Sequence, residues 1–255
     1  MKKALVILSG GQDSTTCLFL AKQQYDEVHA ITFDYGQRHL IELESAKKVA
    51  ELAQVKSHEI IQVPNCLHST SPLTSDNALD QYESHDAMVE IVGKRVENTF
   101  VPMRNTLFFT IAMNRAVELG CHDLITGICG EDNANYPDCT EEFRKRFEAM
   151  ANQSLGVDYF RVVAPLMTFS KAQSIELALT IEGCYNALAY SHTSYDGKYP
   201  PTDNNHANVL RAEGFKNANV PDPLVLRAYR EGLMELPPSD NYTVELVNRY
   251  MKELL

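Results

Sequence analysis

Ser9-Gly10-Gly11-Gln12-Asp13-Ser14-Thr15 joins an apolar run, Ala4 to Leu8, to a segment of helical composition, Ser14 to Gln24. A short continuous apolar run ending at a glycine pair reads as a buried strand entering a tight loop, and the loop opens a helix. Glycine lets backbone N–H groups approach an anion closely. The hydroxyls of Ser9, Ser14 and Thr15 add donors, and the helix N-terminus adds partial positive charge. The loop is therefore predicted to hold a phosphate. It lacks the G-x-x-x-x-G-K-[ST] spacing of the P-loop, so γ-phosphate transfer is not the chemistry it points to. The competing reading is a glycine turn whose Ser or Asp only caps the helix; the strand-to-helix context and the whole motif favour the anion loop.

Outward from this loop the pattern alternates. Val28 to Phe33 reads as a second buried strand, and Leu40, Leu43, Ala46, Val49 and Ala53 recur at helical spacing before a third strand, His58 to Val63. Helices are predicted over Thr106 to Leu119, Glu141 to Ala151 and Lys171 to Gly183, with strands at Asp123 to Gly127 and Tyr159 to Val163. Strands alternating with helical crossovers imply an α/β fold, a doubly wound parallel sheet with ligands at the carboxyl ends of its strands. Residues 64 to 98 are rich in Pro, Ser, Thr, Asn and Asp and read as a loop or lid insertion. The expected organisation is one α/β domain over residues 1–189 and a small helical and loop subdomain over 190–255.

The chain has 255 residues, enough to bury a sizeable core without staples. Its net charge of −11 disfavours a phosphate-tracking surface, so a small molecule rather than nucleic acid is the expected partner. No apolar run reaches the roughly 20 residues of a membrane-spanning helix. The first apolar run stops at Ser9 with no cleavage-like site, and a cytoplasmic chain is expected. Six cysteines, at 17, 66, 121, 129, 139 and 184, form no C-x-x-C pair and are expected to be mostly buried thiols.

The Ser-Gly-Gly-x-Asp-Ser string resembles the signature of the N-type ATP pyrophosphatases. Four further blocks resemble the 7-cyano-7-deazaguanine synthase family: Phe33-Asp34-Tyr35-Gly36-Gln37-Arg38-His39; Val101-Pro102-Met103-Arg104-Asn105; Gly127-Ile128-Cys129 with Tyr136-Pro137-Asp138-Cys139; and Pro165-Leu166 with Lys171. The stretch Gly130 to Asn135 departs from the family pattern and keeps mainly Asp132. The resemblance, over roughly residues 4 to 215, implies an adenine nucleotide α-hydrolase-like fold. It also implies adenylation of 7-carboxy-7-deazaguanine by ATP, then amidation by ammonia and dehydration to the nitrile. ATP with Mg²⁺ is expected on Ser9, Gly10, Gly11, Gln12, Asp13, Ser14, Thr15, Asp34 and Gly127. Catalysis is expected from Asp13, Ser14, Lys171 and Arg104, and substrate binding from Tyr35, Arg38, Asp132, Tyr136 and Asp138. Physically, Asp34 and Asp132 can hold Mg²⁺ water or accept paired N–H donors of a guanine-like ring, while Arg38, Arg104 and Lys171 suit phosphate or carboxylate. The bland rivals are a capping Asp, a solvated Arg or Lys, and a packing Tyr.

The resemblance breaks in the C-terminal region, where the family pattern carries four zinc cysteines. Counting back from Arg211, those positions fall on Ser194, Thr202, Asn205 and Asn208, none a useful zinc ligand. No structural zinc is therefore expected, and a polar network is the favoured replacement; His192, Asp203 and His206 are the alternative ligand set. Without those cysteines the resemblance leaves a second product open, an adduct between the activated deazaguanine and an amine on a protein or other partner. A homodimer is left open as well.

Overall fold

A computed structural model of the chain describes residues 1–36, 41–63, 66–75, 77–93, 95–130, 135–195 and 197–254. Five strands form the sheet among these residues: β1 (Lys3–Ile7), β2 (Glu27–Asp34), β3 (Ser57–Gln62), β4 (Asp123–Ile125) and β5 (Arg161–Val163). Their order is β3-β2-β1-β4-β5, with every pairing parallel. The order reverses beside β1, between β2 and β4, and an open α/β sheet presents its ligand crevice at such a point. The predicted α/β doubly wound fold is therefore present, and each of the five expected strands lies within a few residues of its predicted place.

The buried strands explain their own composition. In β1 and just beyond it, Ala4, Val6 and Leu8 pack into the core on one face while Leu5 packs into the core on the other. Both faces are covered, so the strand is a continuous apolar run instead of an alternating one. On the first face lie α1 (Gln12–Gln24) and α2 (Ile41–Leu52); on the second lie α4 (Arg104–Leu119) and α5 (Glu141–Leu155), with α3 (His85–Val92) between them in sequence. The chain continues with α6 (Lys171–Thr180), α7 (Cys184–Leu188), α8 (His206–Asn217), α9 (Pro223–Arg230) and α10 (Val244–Met251). No helix among the described residues is long and apolar enough to cross a membrane.

Two further segments pack onto this core. The 64–98 insertion contains α3, capped by Ser84, whose side chain accepts from the Ala87 N–H, and its Met88 and Val92 bury with Tyr82 against Leu210 of α8. Eight residues are too short to show a helical period against a polar background, so composition reads as loop. The C-terminal residues Phe215, Leu226, Val247 and Tyr250 bury in the same cluster as Ala4 of β1 and Leu18 of α1.

A buried ion pair ties this region down. Arg211 donates to both carboxylate oxygens of Asp222 (2.6 and 2.8 Å), to Ser191 Oγ (2.8 Å), Thr193 Oγ1 (3.0 Å) and the Leu188 carbonyl (3.2 Å). With both side chains almost fully buried, removing one leaves the other charge stranded. Asp222→Ala is expected to cost about 3–5 kcal/mol, read as a lower urea midpoint at unchanged slope; a midpoint equal to wild type would show that the pair is not holding the region.

Candidate functional site

The loop after β1 is built as its sequence implies. Gly10 has φ +87°, and a Cβ there would lie 2.5 Å from the Glu42 carbonyl oxygen, so only glycine fits. The Ser14 and Thr15 hydroxyls donate to the Gly11 carbonyl at 3.1 and 2.8 Å, Ser9 Oγ and Ser14 Oγ are 3.0 Å apart, and the Gly11 N–H donates to Ser9 Oγ at 3.2 Å. Gly11, the residue before α1, makes no side-chain cap. The first turn, Gln12 to Ser14, lines a cavity of about 270 Å³, so the positive end of the helix dipole borders that space. Gln12 is 4% exposed and its Nε2 has no partner among the described residues. A buried orphan donor beside an uncapped helix start fits an anionic ligand.

Three other walls complete the cavity. From the β4 end come Thr126, Gly127 and Ile128; a Cβ on Gly127 would sit 2.8 Å from Ser14 N, so this glycine sets how closely α1 approaches the sheet. Lys171, the first residue of α6, is 8% exposed and places Nζ 2.6 Å from Asp13 Oδ2 and 3.2 Å from Cys129 Sγ. On the far side Phe33 and Phe108 stack with ring centroids 4.2 Å apart, Tyr35 leans on Phe108 at 5.3 Å, and Arg104 Nη1 donates to Tyr35 Oη at 3.4 Å. The last wall is His192, Thr193 and Tyr195 with His206, Leu210 and Arg211. The His192 N–H donates to the Gly10 carbonyl at 2.8 Å, which fastens this segment to the loop.

The electrostatics follow from enclosure. Burial opposes the Arg104 charge, yet Tyr35, Tyr195, Asp138 and Tyr136 around it hold its pKa above the ordinary arginine value. Burial pushes the Tyr35 phenol up. Burial also raises the Asp138 carboxyl, with Arg104 and the Asn105 N–H pulling the other way. Glu42, from the first turn of α2, reaches the same cavity.

Most of the expected residues meet here. Ser9, Gly11, Gln12, Asp13, Ser14, Gly127, Tyr35, Arg104, Tyr136 and Lys171 border one space, and Gly10 and Thr15 shape the loop. Asp34 and Asp138 do not line it. The Asp34 carboxylate accepts from the Gly36 N–H at 3.3 Å, and Asp138 accepts from the Asn105 N–H at 3.4 Å at the start of α4. Arg38 and Asp132 lie outside the described residues. Glu42 and the Phe33–Phe108 pair were not singled out in the sequence as site residues, and His192, named there as a possible metal ligand, borders the cavity instead. A glutamate among the polar residues of an amphipathic helix looks solvated, and only the fold turns it inward.

Three of the four positions that the family pattern gives to cysteine converge on one carboxylate. Ser194 Oγ donates to Asp203 Oδ1, Asn205 Nδ2 to Oδ2 at 2.5 Å, and Asn208 Nδ2 to Oδ1 at 2.5 Å and to the Asp203 carbonyl at 3.0 Å. Asn205 also caps α8, its Oδ1 accepting from the Asn208 N–H at 3.0 Å. Asp203 thus already accepts from three side chains, and among the described residues no three His, Cys, Asp or Glu side chains are grouped to hold a metal.

Fold and cavity together define a doubly wound, all-parallel α/β protein with a glycine-containing loop and a helix start bordering a cavity at its switch point. The family model for queuosine biosynthesis protein QueC matches residues 3–219. A 7-cyano-7-deazaguanine synthase of Gloeobacter violaceus is 47% identical over 232 residues, covering 88% of this chain and 96% of its own. Proteins of the same description from Laribacter hongkongensis and Chromobacterium violaceum are 44% and 41% identical, covering 88% and 90% of this chain and 94% and 96% of theirs. The chain belongs to the QueC family of queuosine biosynthesis proteins. Among solved structures it is similar to a 4-thiouridine synthetase–RNA complex with bound ATP (TM-score 0.45, 18% identity, 84% of this chain and 53% of the other). It is also similar to an NMN synthetase from Francisella tularensis (TM-score 0.38, 14% identity, 99% and 84%).

Hydrogen bonds to a charged group contribute about 1.5–3 kcal/mol each, so Asp203→Ala is expected to lower the unfolding free energy by at least about 1.5 kcal/mol. Elemental analysis of purified protein should find no stoichiometric zinc. One zinc per chain, lost with the fold on chelation, would overturn the carboxylate-centred account.

Proposed function

We propose that the chain activates the carboxylate of 7-carboxy-7-deazaguanine by adenylation with ATP, then forms the amide with ammonia and the nitrile with a second ATP. The carrying observation is the uncapped start of α1, with the buried Gln12 donor and the Lys171–Asp13 pair, facing Arg104 and Tyr35 across one cavity. Relatives of 41–47% identity over most of the chain are 7-cyano-7-deazaguanine synthases, and this supports the same substrate class here.

In this reading the pyrophosphate portion of ATP rests on the loop, where backbone N–H groups and the Ser9 and Ser14 hydroxyls receive it. The substrate carboxylate attacks the α-phosphorus and pyrophosphate leaves. Lys171 stabilises the charge that grows on the phosphate oxygens, a role that acts in the transition state more than in binding. Mg²⁺ bound with a nucleotide takes one or two protein carboxylates besides phosphate oxygens, and Asp13 is the carboxylate on the loop suited to it. When bound, the ion would neutralise phosphate charge. Arg104 orients the substrate carboxylate, and the Phe33, Tyr35 and Phe108 rings offer apolar surface to a planar heterocycle.

The test is incubation with Mg-ATP, 7-carboxy-7-deazaguanine and ammonium, with products read by mass spectrometry. AMP, pyrophosphate and the nitrile support the reading; AMP with an amide or another amine adduct alone would remove the dehydration step, and no AMP would remove adenylation. Lys171→Ala should lower kcat for pyrophosphate release by about 10²–10³-fold, with a smaller change in the KM for ATP. A rise in KM at unchanged kcat would assign Lys171 to binding only.

A further inference from the structure

Among the described residues, the Glu42 side chain has no evident structural use. It stands on the second residue of α2, whose first turn presses on the anion loop so closely that a Cβ on Gly10 would lie 2.5 Å from the Glu42 carbonyl oxygen. Its side chain borders the cavity together with Tyr35 and Arg104. A glutamate in the first turn of a helix ordinarily stays in water and offsets the helix dipole; this one faces an enclosed space. We propose that Glu42 is the proton acceptor for the amine nucleophile that attacks the adenylated carboxylate. The assignment rests on the adenylation reading and adds to it the group that makes ammonium reactive.

The balance of the step is simple. Ammonium gives a proton to the Glu42 carboxylate, and the ammonia so formed adds its lone pair to the acyl carbon of the adenylate. The C–O bond to AMP breaks with its electrons on the AMP phosphate, and the surplus proton on the new amide nitrogen passes to solvent. Among the described residues, Arg104 and Tyr35 are the charged and titratable groups facing Glu42. Elsewhere on the wall stand the Asp13–Lys171 pair, His192, His206 and Arg211. Burial pushes the Glu42 carboxyl up to about 7, with the Arg104 charge acting through space in the opposite direction. A base of that pKa is ionised at and above neutral pH and still strong enough to accept a proton there.

The experiment compares Glu42→Gln, which keeps size and shape, with wild type, using ammonium and hydroxylamine as alternative nucleophiles. Hydroxylamine is largely unprotonated at neutral pH and needs no base to free its lone pair. The variant should lose about 10²-fold in amide formation at pH 7, while hydroxamate formation falls far less, so its hydroxamate-to-amide ratio rises by a similar factor. The wild-type advantage with ammonium should grow as pH rises through about 7, where the carboxylate ionises. A variant that keeps the wild-type product ratio at every pH overturns the role of Glu42 alone. A wild type that forms no AMP with either nucleophile overturns the adenylation reading and this assignment with it.

Discussion

A lysine only 8% exposed needs a polar partner to offset its burial, and Lys171 finds one in Asp13 at 2.6 Å. The rest of the site is arranged around that requirement. Asp13 is in the first turn of α1, which closes on the β4 end because Gly127 leaves no Cβ to meet Ser14. Lys171 begins α6, and α8 lies against it because a Cβ on Gly214 would come within 2.7 Å of Lys171 Cβ. One ion pair and two glycines therefore fix the anion loop, the sheet end and the C-terminal helices in a single arrangement. A larger residue at either glycine would displace the charge pair as well as a helix.

The opposite wall depends on a second long-range contact. Helix α4 begins after Met103, which sits at φ +65° and makes no side-chain cap. Its first-turn N–H at Asn105 instead meets Asp138, 33 residues later, and Asn105 Nδ2 donates to the Asp138 carbonyl at 3.2 Å. The carboxylate thus serves the helix start from another segment. That accounts for the company kept by two blocks of the sequence. Val101 to Asn105 and Tyr136 to Cys139 are far apart in the chain but form the two halves of one helix terminus, which holds Arg104 toward the cavity. Asp138 stands behind the wall instead of on it and supports the helix start that carries Arg104.

How much of this could be read from the chain follows from the range of each interaction. The five strands were legible because burial on both faces forces apolar runs, and the tight loop between β1 and α1 because glycine and hydroxyl spacing is local. Lys171 and Arg104 were legible only through the resemblance, since an isolated cation carries no mark of burial. Helix α3 was missed because a one-sided patch of Met88 and Val92 in eight residues has no period to detect. Glu42 was missed for a different reason: its neighbours in sequence, Leu43 and Glu44, show an ordinary amphipathic helix, and its inward direction is set by the Gly10 contact and the sheet. The hub at Asp203 was half legible. Four polar residues at the cysteine positions implied a network, but nothing local said which atom lies at its centre.

A metal and a carboxylate are opposite in charge, and the surrounding groups must change sign of polarity to match. A zinc site needs anionic thiolates as electron donors; a carboxylate needs N–H and O–H groups, and Ser194, Asn205 and Asn208 supply them. The exchange also suits the helix that follows, because Asn205 caps α8 with its carbonyl oxygen while donating its amide hydrogen to Asp203, two bonds that one thiolate bound to zinc does not make together. Capping fixes where α8 begins, and α8 carries His206, Leu210 and Arg211 to the cavity wall. The segment around α3 leans on the same point, with the Tyr82 N–H on the Asn204 carbonyl at 2.9 Å and the Asn204 N–H on Gln81 Oε1 at 2.8 Å. The cavity's C-terminal wall is therefore tied, through Asn205 and the start of α8, to one hydrogen-bonded carboxylate, Asp203.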